Sequence, residues 1–187
     1  MKLIALDFES EAIAPRPLYP PVPVGLAVMI DGHDGVYNSW GHPTGNNTQQ
    51  SSVKMGIKEM FKNEDNWFVF HNAPFDCDII QVHFGIKVPW NRIHDTMLMA
   101  FLFDPYGELS LKPLAERHLS EAPTERDVVR DWLVRNGVCH ANAKDWGAHI
   151  SKAPAEIVGP YAIGDVRKTL NLYKYLLPKL QARRVMP

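Results

Sequence analysis

Apolar positions along this chain switch between strand-like and helical periods, and the switches mark out the elements. Residues 3–8 (Leu-Ile-Ala-Leu-Asp-Phe) form a short apolar run closed by charge, the pattern of a buried strand. Five prolines (15, 17, 20, 21 and 23) then fall within Ser10–Pro23. Their fixed φ and missing donors predict a stiffened loop, either a surface connector or a lid or wall beside the end of the first strand. Val24–Ile30 and Val36–Trp40 read as antiparallel strands around the turn residues Asp31–Gly35, and the polar Gly41–Ser51 reads as loop. Val53, Ile57, Met60 and Phe61 recur at helical spacing, predicting a helix over Val53–Phe61. Trp67–Phe70 is continuously apolar, as in a central strand covered on both faces. A helix is expected over Asp78–Phe84, stopped by Gly85. Then come a short strand at Val88–Ile93, a buried helix at Thr96–Phe103, and helices at Leu111–Leu119 and Glu125–Asn136, the last ended by Gly137. Val158, Ala162, Val166, Leu170, Tyr173, Leu177 and Leu180 form one stripe at spacings of three and four, a long helix with Pro154 or Pro160 in its first turn.

This order of elements predicts a single α/β domain over residues 1–187, strands first and helices gathering toward the C-terminus. A chain of 187 residues can bury about 70% of its unfolded surface. With 45% hydrophobic and 22% charged residues it is neither disordered, nor collagen-like, nor a coiled coil. No apolar run reaches the roughly 18 residues of a membrane span, and Asp7 interrupts the first run too early for a signal peptide. Cys77 and Cys139 supply no disulfide framework, so the chain reads as cytoplasmic. The formal charge of -1 changes the picture. Proteins that grip duplex nucleic acid are usually basic, so any nucleic-acid grip here has to be local, metal-mediated or borrowed from a partner.

Three segments place carboxylates where an apolar element meets solvent. Asp7 and Glu9 lie two apart on the first strand, on one face, where hard divalent cations would relieve their repulsion. Asp76, in His71-Asn72-Ala73-Pro74-Phe75-Asp76, falls near the start of a helix, where it could also be a simple N-cap. Tyr161 and Asp165 are four apart at the edge of the last helix's apolar stripe, where a packing hydrogen bond would serve equally well. The histidines lack zinc spacing, and Cys77 has no evident base beside it. Lys168, Lys174, Lys179, Arg183 and Arg184 read as a solvated basic face.

Taken in order, the Asp-x-Glu, the Asn-x-x-Phe-Asp and the Tyr-x-x-x-Asp resemble the three motifs of DnaQ-like, DEDD-type 3′–5′ exonucleases. Asp95-Thr96-Met97-Leu98 and Leu109-Ser110-Leu111-Lys112-Pro113-Leu114-Ala115 resemble the stretch between the second and third motifs in proofreading domains of family A (DNA polymerase I-like) polymerases. Leu6-Asp7-Phe8-Glu9 with Pro15-Arg16-Pro17 and Tyr19-Pro20-Pro21 looks like the bacteriophage members. The resemblance implies a ribonuclease H-like fold: a mixed sheet, three antiparallel strands and then parallel ones, flanked by helices.

It also implies that Asp7, Glu9, Asp76 and Asp165 bind two divalent metal ions, Mg2+ or Mn2+, and that Tyr161 marks the tyrosine subtype and orients the attacking water. The histidine subtype would need His five before Asp165, where proline stands. Ser10, Asn72 and Phe75 are candidates for contact with the terminal nucleotides, Phe75 equally for the core. The reaction expected is release of nucleoside 5′-monophosphates from single-stranded or frayed DNA 3′ ends, with a DNA polymerase in cis or in trans as partner and no membrane. RNA- or oligonucleotide-trimming by the same chemistry is the alternative. A silent assembly module of this fold is disfavoured, because all four acids and the tyrosine are present.

Overall fold

A computed structural model describes residues 1–121 and 124–184, with the side chains of residues 124–127 outside the description. Strand β1 (Lys2–Ser10) lies at the middle of a five-stranded sheet. β2 (Pro23–Ile30) and β3 (Val36–Ser39) continue from it antiparallel on one side. β4 (Asn66–Phe70) and β5 (Ile93–Asp95) run parallel to it on the other, in the order β3-β2-β1-β4-β5. Three antiparallel strands followed by parallel ones are what the resemblance implies, and the Trp67–Phe70 run is an interior strand, between β1 and β5, with both faces covered as its apolar run predicts.

The period-2 alternation of β1 divides the core. Ile4, Leu6 and Phe8 face one layer with Phe68, Phe70 and Leu26. That layer is closed by α1 (Gln50–Lys62) through Val53, Ile57 and Phe61, and by α2 (Ala73–Phe84) through Ile79, Ile80 and Phe84. Ala5 faces the opposite layer with Ala27, Tyr37 and Val69. There α3 (Thr96–Phe103), α4 (Leu111–Leu119) and α5 (Thr124–Arg135) gather around the long α6 (Ala155–Ala182). Val158, Ala162, Val166, Leu170, Tyr173 and Leu180 of the expected stripe are all buried on it.

Several boundaries differ from expectation, each for a local reason. The expected strand Val88–Ile93 is a 3₁₀ turn at Trp90–Arg92, and pairing begins only at Ile93, opposite Phe68. Pro89, lacking a donor, cannot extend that ladder. Helix α2 starts five residues early, at Ala73, because Asp95 caps it from outside: its carboxylate accepts from the Asn72 and Ala73 amides at 3.0 and 2.9 Å. The same side chain accepts from Met97 at the start of α3, so one aspartate fastens two helix starts. Pro154 is the N-cap residue of α6, and Pro160 lies inside the helix rather than in its first turn.

Two further departures concern the basic C-terminal face and the stretch before α6. Lys168 is buried, its Nζ 3.8 Å from Asp165, Lys174 pairs with Asp31, and Arg183 donates to the Phe103 carbonyl. Much of that face is therefore tied down rather than solvated. The 3₁₀ stretch Trp146–Lys152 carries no predictive pattern, yet its buried Trp146 and Ile150 complete the core beside α6. Among the described residues no helix is long and apolar enough to cross a membrane.

Candidate active site

The site forms where the sheet splits. β4 pairs with β1 only as far as Ala5 and then turns into α2, leaving the later amides of β1 without a strand partner on that side. Asp76, in the first turn of α2, accepts the Phe8 amide at 2.9 Å and fills that gap. Asp76 is thus no N-cap; Asn72 holds that place in a left-handed conformation (φ 68°). By the alternation of β1, Asp7 and Glu9 share the face of Ala5, the side covered by α6. Tyr161 and Asp165, one helical turn apart, look onto them from α6.

The four acids act strongly on one another. Burial first, and the Asp165 charge second, push Asp7 up to about 7 from its usual 3.8, against the pull of Lys112. Burial with the charges of Asp7 and Asp165 holds Glu9 well above the carboxylate range. Burial and Asp7 raise Asp76 likewise, with the Phe8 amide opposing. Burial and Asp165 keep the Tyr161 phenol protonated far above neutral pH. Asp165 Oδ1 is buried without a hydrogen-bond partner. Buried, mutually repelling, under-partnered oxygens suit a hard divalent cation. Among the described residues, however, no three His, Cys, Asp or Glu side chains form a ready-made cation cage. Asp76 Oδ1 is in contact with the Phe8 amide, and Asp165 Oδ2 is in contact with a lysine.

Lys112, quoted above only as part of a longer stretch, makes that contact with Asp165. Its Nζ donates to Asp165 Oδ2 at 3.0 Å and to the Tyr161 hydroxyl at 2.6 Å. A lone lysine inside the apolar first turn Leu111-Lys112-Pro113-Leu114-Ala115 is the signal that could have found it. Trp146 packs edge-on against the Tyr161 ring, centroids 6.0 Å apart. Of the substrate candidates, Ser10 and Phe75 line a groove of about 300 Å3 beside Glu9, with Ile13 of the proline-rich segment as its wall. That segment is tied to α2 by the bond between His83 Nε2 and the Pro20 carbonyl. Asn72 is exposed at the head of α2 and does not line this groove.

Histidine and cysteine play supporting parts. His42 bridges Ala153 and Tyr37 at 2.8 and 2.6 Å. The carbonyl can only accept, so Nδ1 carries the proton and Nε2 accepts from the phenol, a neutral imidazole that burial favours. Gly25, opposite Glu9, permits this: a Cβ there would lie 2.0 Å from the Tyr37 hydroxyl. Burial pushes the Cys77 thiol up, away from nucleophilic use.

Comparison with known proteins then decides the family. The 3′–5′ exonuclease family profile matches residues 1–181. The chain belongs to the 3′–5′ exonuclease family. Over 186 residues the exonuclease is 26% identical to the DNA polymerase of Escherichia phage T5, covering 95% of this chain and 20% of that protein. It therefore spans about a fifth of that relative's length. In fold it is similar to Brucella melitensis NrnC with bound Mg2+ (TM-score 0.62, 17% identity, 97% of this chain and 74% of that one). It is also similar to Escherichia coli RNase D, an exoribonuclease involved in structured RNA processing (TM-score 0.60, 19% identity, 99% and 41%). These likenesses bear out the ribonuclease H-like exonuclease fold.

Proposed function

We propose that this exonuclease removes nucleoside 5′-monophosphates from single-stranded or frayed DNA 3′ ends, in the manner of a proofreading domain. Asp7, Glu9, Asp76 and Asp165 would hold divalent metal, two ions of Mg2+ or Mn2+. When bound, the metal supplies charge neutralisation at phosphorus and activation of water. The observation that carries the reading is the meeting of these acids with a protonated Tyr161, one of the acids, Glu9, also lining the Ser10–Phe75 groove. A phenol that keeps its proton can hold a water by hydrogen bonding without becoming a charged base. That water would attack the phosphodiester, and the bond to the 3′-oxygen would break.

DNA is favoured over RNA because the sequence relative is a DNA polymerase matched along 95% of this chain. The RNase D and NrnC folds keep RNA or short oligonucleotides as the second reading. A polymerase in cis or in trans is the proposed partner.

The test is digestion of one end-labelled strand, as single-stranded DNA, single-stranded RNA, frayed duplex and blunt duplex, with Mg2+, Mn2+ or EDTA. At a net charge of -1 the protein is expected to bind duplex weakly, because duplex binding draws on many Lys and Arg contacts to phosphate. A few unpaired nucleotides can instead stack in a groove. Single-stranded and frayed DNA are expected to be shortened faster than blunt duplex, at low processivity, with EDTA abolishing cleavage. Faster cleavage of RNA would transfer the reading to RNA trimming. Processive attack on blunt duplex at 150 mM salt would replace proofreading with duplex degradation.

Tyr161→Phe is expected to slow hydrolysis by about 1–3 kcal/mol of transition-state stabilisation. Metal affinity in calorimetry should be retained. A large loss of that affinity would show that the phenol belongs to the metal site instead.

A further inference from the structure

Lys112 is a cation that none of the three acidic motifs contains, yet it sits among their side chains. It occupies the second position of α4, a helix packed on α6 with Leu114 in their common core. From there its side chain, 18% exposed, reaches across to α6. The ammonium makes three contacts at once: Asp165 Oδ2 at 3.0 Å, the Tyr161 hydroxyl at 2.6 Å and the Tyr161 ring face at 4.0 Å from its centroid. With Trp146 packed edge-on against the same ring, Tyr161 is held between two side chains from elements outside its own helix.

The position of the charge matters as much as the contacts. The carboxylates of Asp7, Glu9 and Asp165 share one poorly solvated space, and Lys112 offsets their repulsion toward both Asp7 and Glu9. An ammonium donating to a carboxylate oxygen takes up the lone pair a metal would need. It also adds a like charge within a few ångströms of an arriving cation. Asp165 Oδ1, the oxygen Lys112 does not reach, lacks a hydrogen-bond partner. Lys112 thus engages one oxygen of Asp165, while the other faces the buried Lys168 ammonium at 3.8 Å without a hydrogen bond.

We propose that Lys112 is a positioning residue with two linked roles: it orients the Tyr161 phenol for hydrolysis, and it is the cation that incoming metal must displace from Asp165 Oδ2. The inference rests on the metal-dependent reading above. In the metal-free protein the ammonium holds the acids together. Once metal engages Asp165, the lysine keeps only its contact with the phenol oxygen and leaves the phenol proton free for water.

The test combines calorimetry with a double-mutant cycle. Lys112→Met is expected to bind Mn2+ at least about 5-fold more tightly than wild type, because a competing charge has gone. Lys112→Arg, which keeps the charge, should stay within about 2-fold of wild type. In single-strand digestion, Lys112→Met should lower kcat about 10-fold or more with KM nearly unchanged. In a Tyr161→Phe background the same change should lower kcat less than 2-fold, since its effect passes through the phenol. Lys112→Gln serves as a second neutral variant, with thermal melting in EDTA verifying that each variant is folded. Equal or weaker Mn2+ affinity in both neutral variants overturns the proposal, and so does full additivity with Tyr161→Phe. If wild type binds no Mn2+, the metal reading falls and this inference falls with it. Wild-type binding with unchanged affinity in the variants overturns this inference alone.

Discussion

Asp7→Asn is expected to lower exonuclease turnover on the order of 10³-fold while making the metal-free protein more stable at pH 8. The two effects share one cause. Asp7 lies on the sheet face that meets α6, where burial and the Asp165 charge push it up to about 7. A carboxyl raised in the folded state binds a proton there that the unfolded chain has released. Its stabilising contribution is complete below about 3.8 and is lost as pH rises through about 7.

Asparagine mimics the protonated form at every pH. The stability gap between variant and wild type in EDTA should therefore be near zero at pH 4, open through pH 5 and 6, and level off above pH 7. Comparing variant with wild type at each pH removes the opposing contribution of His42, His71 and His94, whose pKa values burial lowers. Saturating Mn2+ should reverse the order at pH 8, because only wild type offers the full donor set. Asp165→Asn should lose comparable activity without the stability gain, since it also gives up the ion pair with Lys112. Thermal melts in EDTA and in Mn2+ across this pH range are the measurement. Near-wild-type hydrolysis by Asp7→Asn would remove Asp7 from the mechanism, and a pH-independent gap would mean its carboxyl is not held above the usual range.

Phe68→Ala is expected to cost about 3–5 kcal/mol of folding free energy, the usual range for emptying a core aromatic site. Phe68 is fully buried in β4 and meets the Phe61 ring edge-on, centroids 4.6 Å apart. It fills the space between the sheet and α1, and the guanidinium of Arg92 lies 5.8 Å from its ring centroid. Arg92 in turn donates to the Phe61, Asn63 and Asn66 carbonyls, latching the α1–β4 connection over the cavity. A latched rim cannot collapse easily, so the upper half of the range is expected. Since domains of this size have about 5–15 kcal/mol in total, the variant should melt well below wild type. Urea denaturation measures the loss. A loss under about 1.5 kcal/mol would show that the layer repacks, and turnover below the melting transition should stay near that of wild type, because Phe68 is absent from the groove.

Much of this architecture was legible in short-range pattern. The runs at 3–8 and 67–70 and the stripe from Val158 to Leu180 report burial at a fixed period, and the structure buries most of their positions, while the turn residues at 31–35 stay at the surface. The spacing of Asp7 and Glu9, and of Tyr161 and Asp165, determines a shared face on a strand or a helix whatever the fold around it. With the order of the three motifs, that carried the resemblance from which the acids and the tyrosine are proposed as one site. What periodicity cannot carry is any contact between elements far apart in the chain. Asp76 reads as an N-cap until the early end of β4 leaves the Phe8 amide for it, 68 residues away in sequence. Asp95 directly precedes α3 in sequence, but the parallel placement of β5 against β4 lets it cap the start of α2 as well. Lys168 reads as part of a solvated face and is buried beside Asp165. Lys112 belongs to no acidic motif, and its meeting with Tyr161 and Asp165 depends on how α4 lies across α6. Local spacing thus determined which side chains share a face, while the packing of helix on helix and the splitting of the sheet decided which charges confront one another, because Coulomb and desolvation energies depend on separation in space and not in sequence.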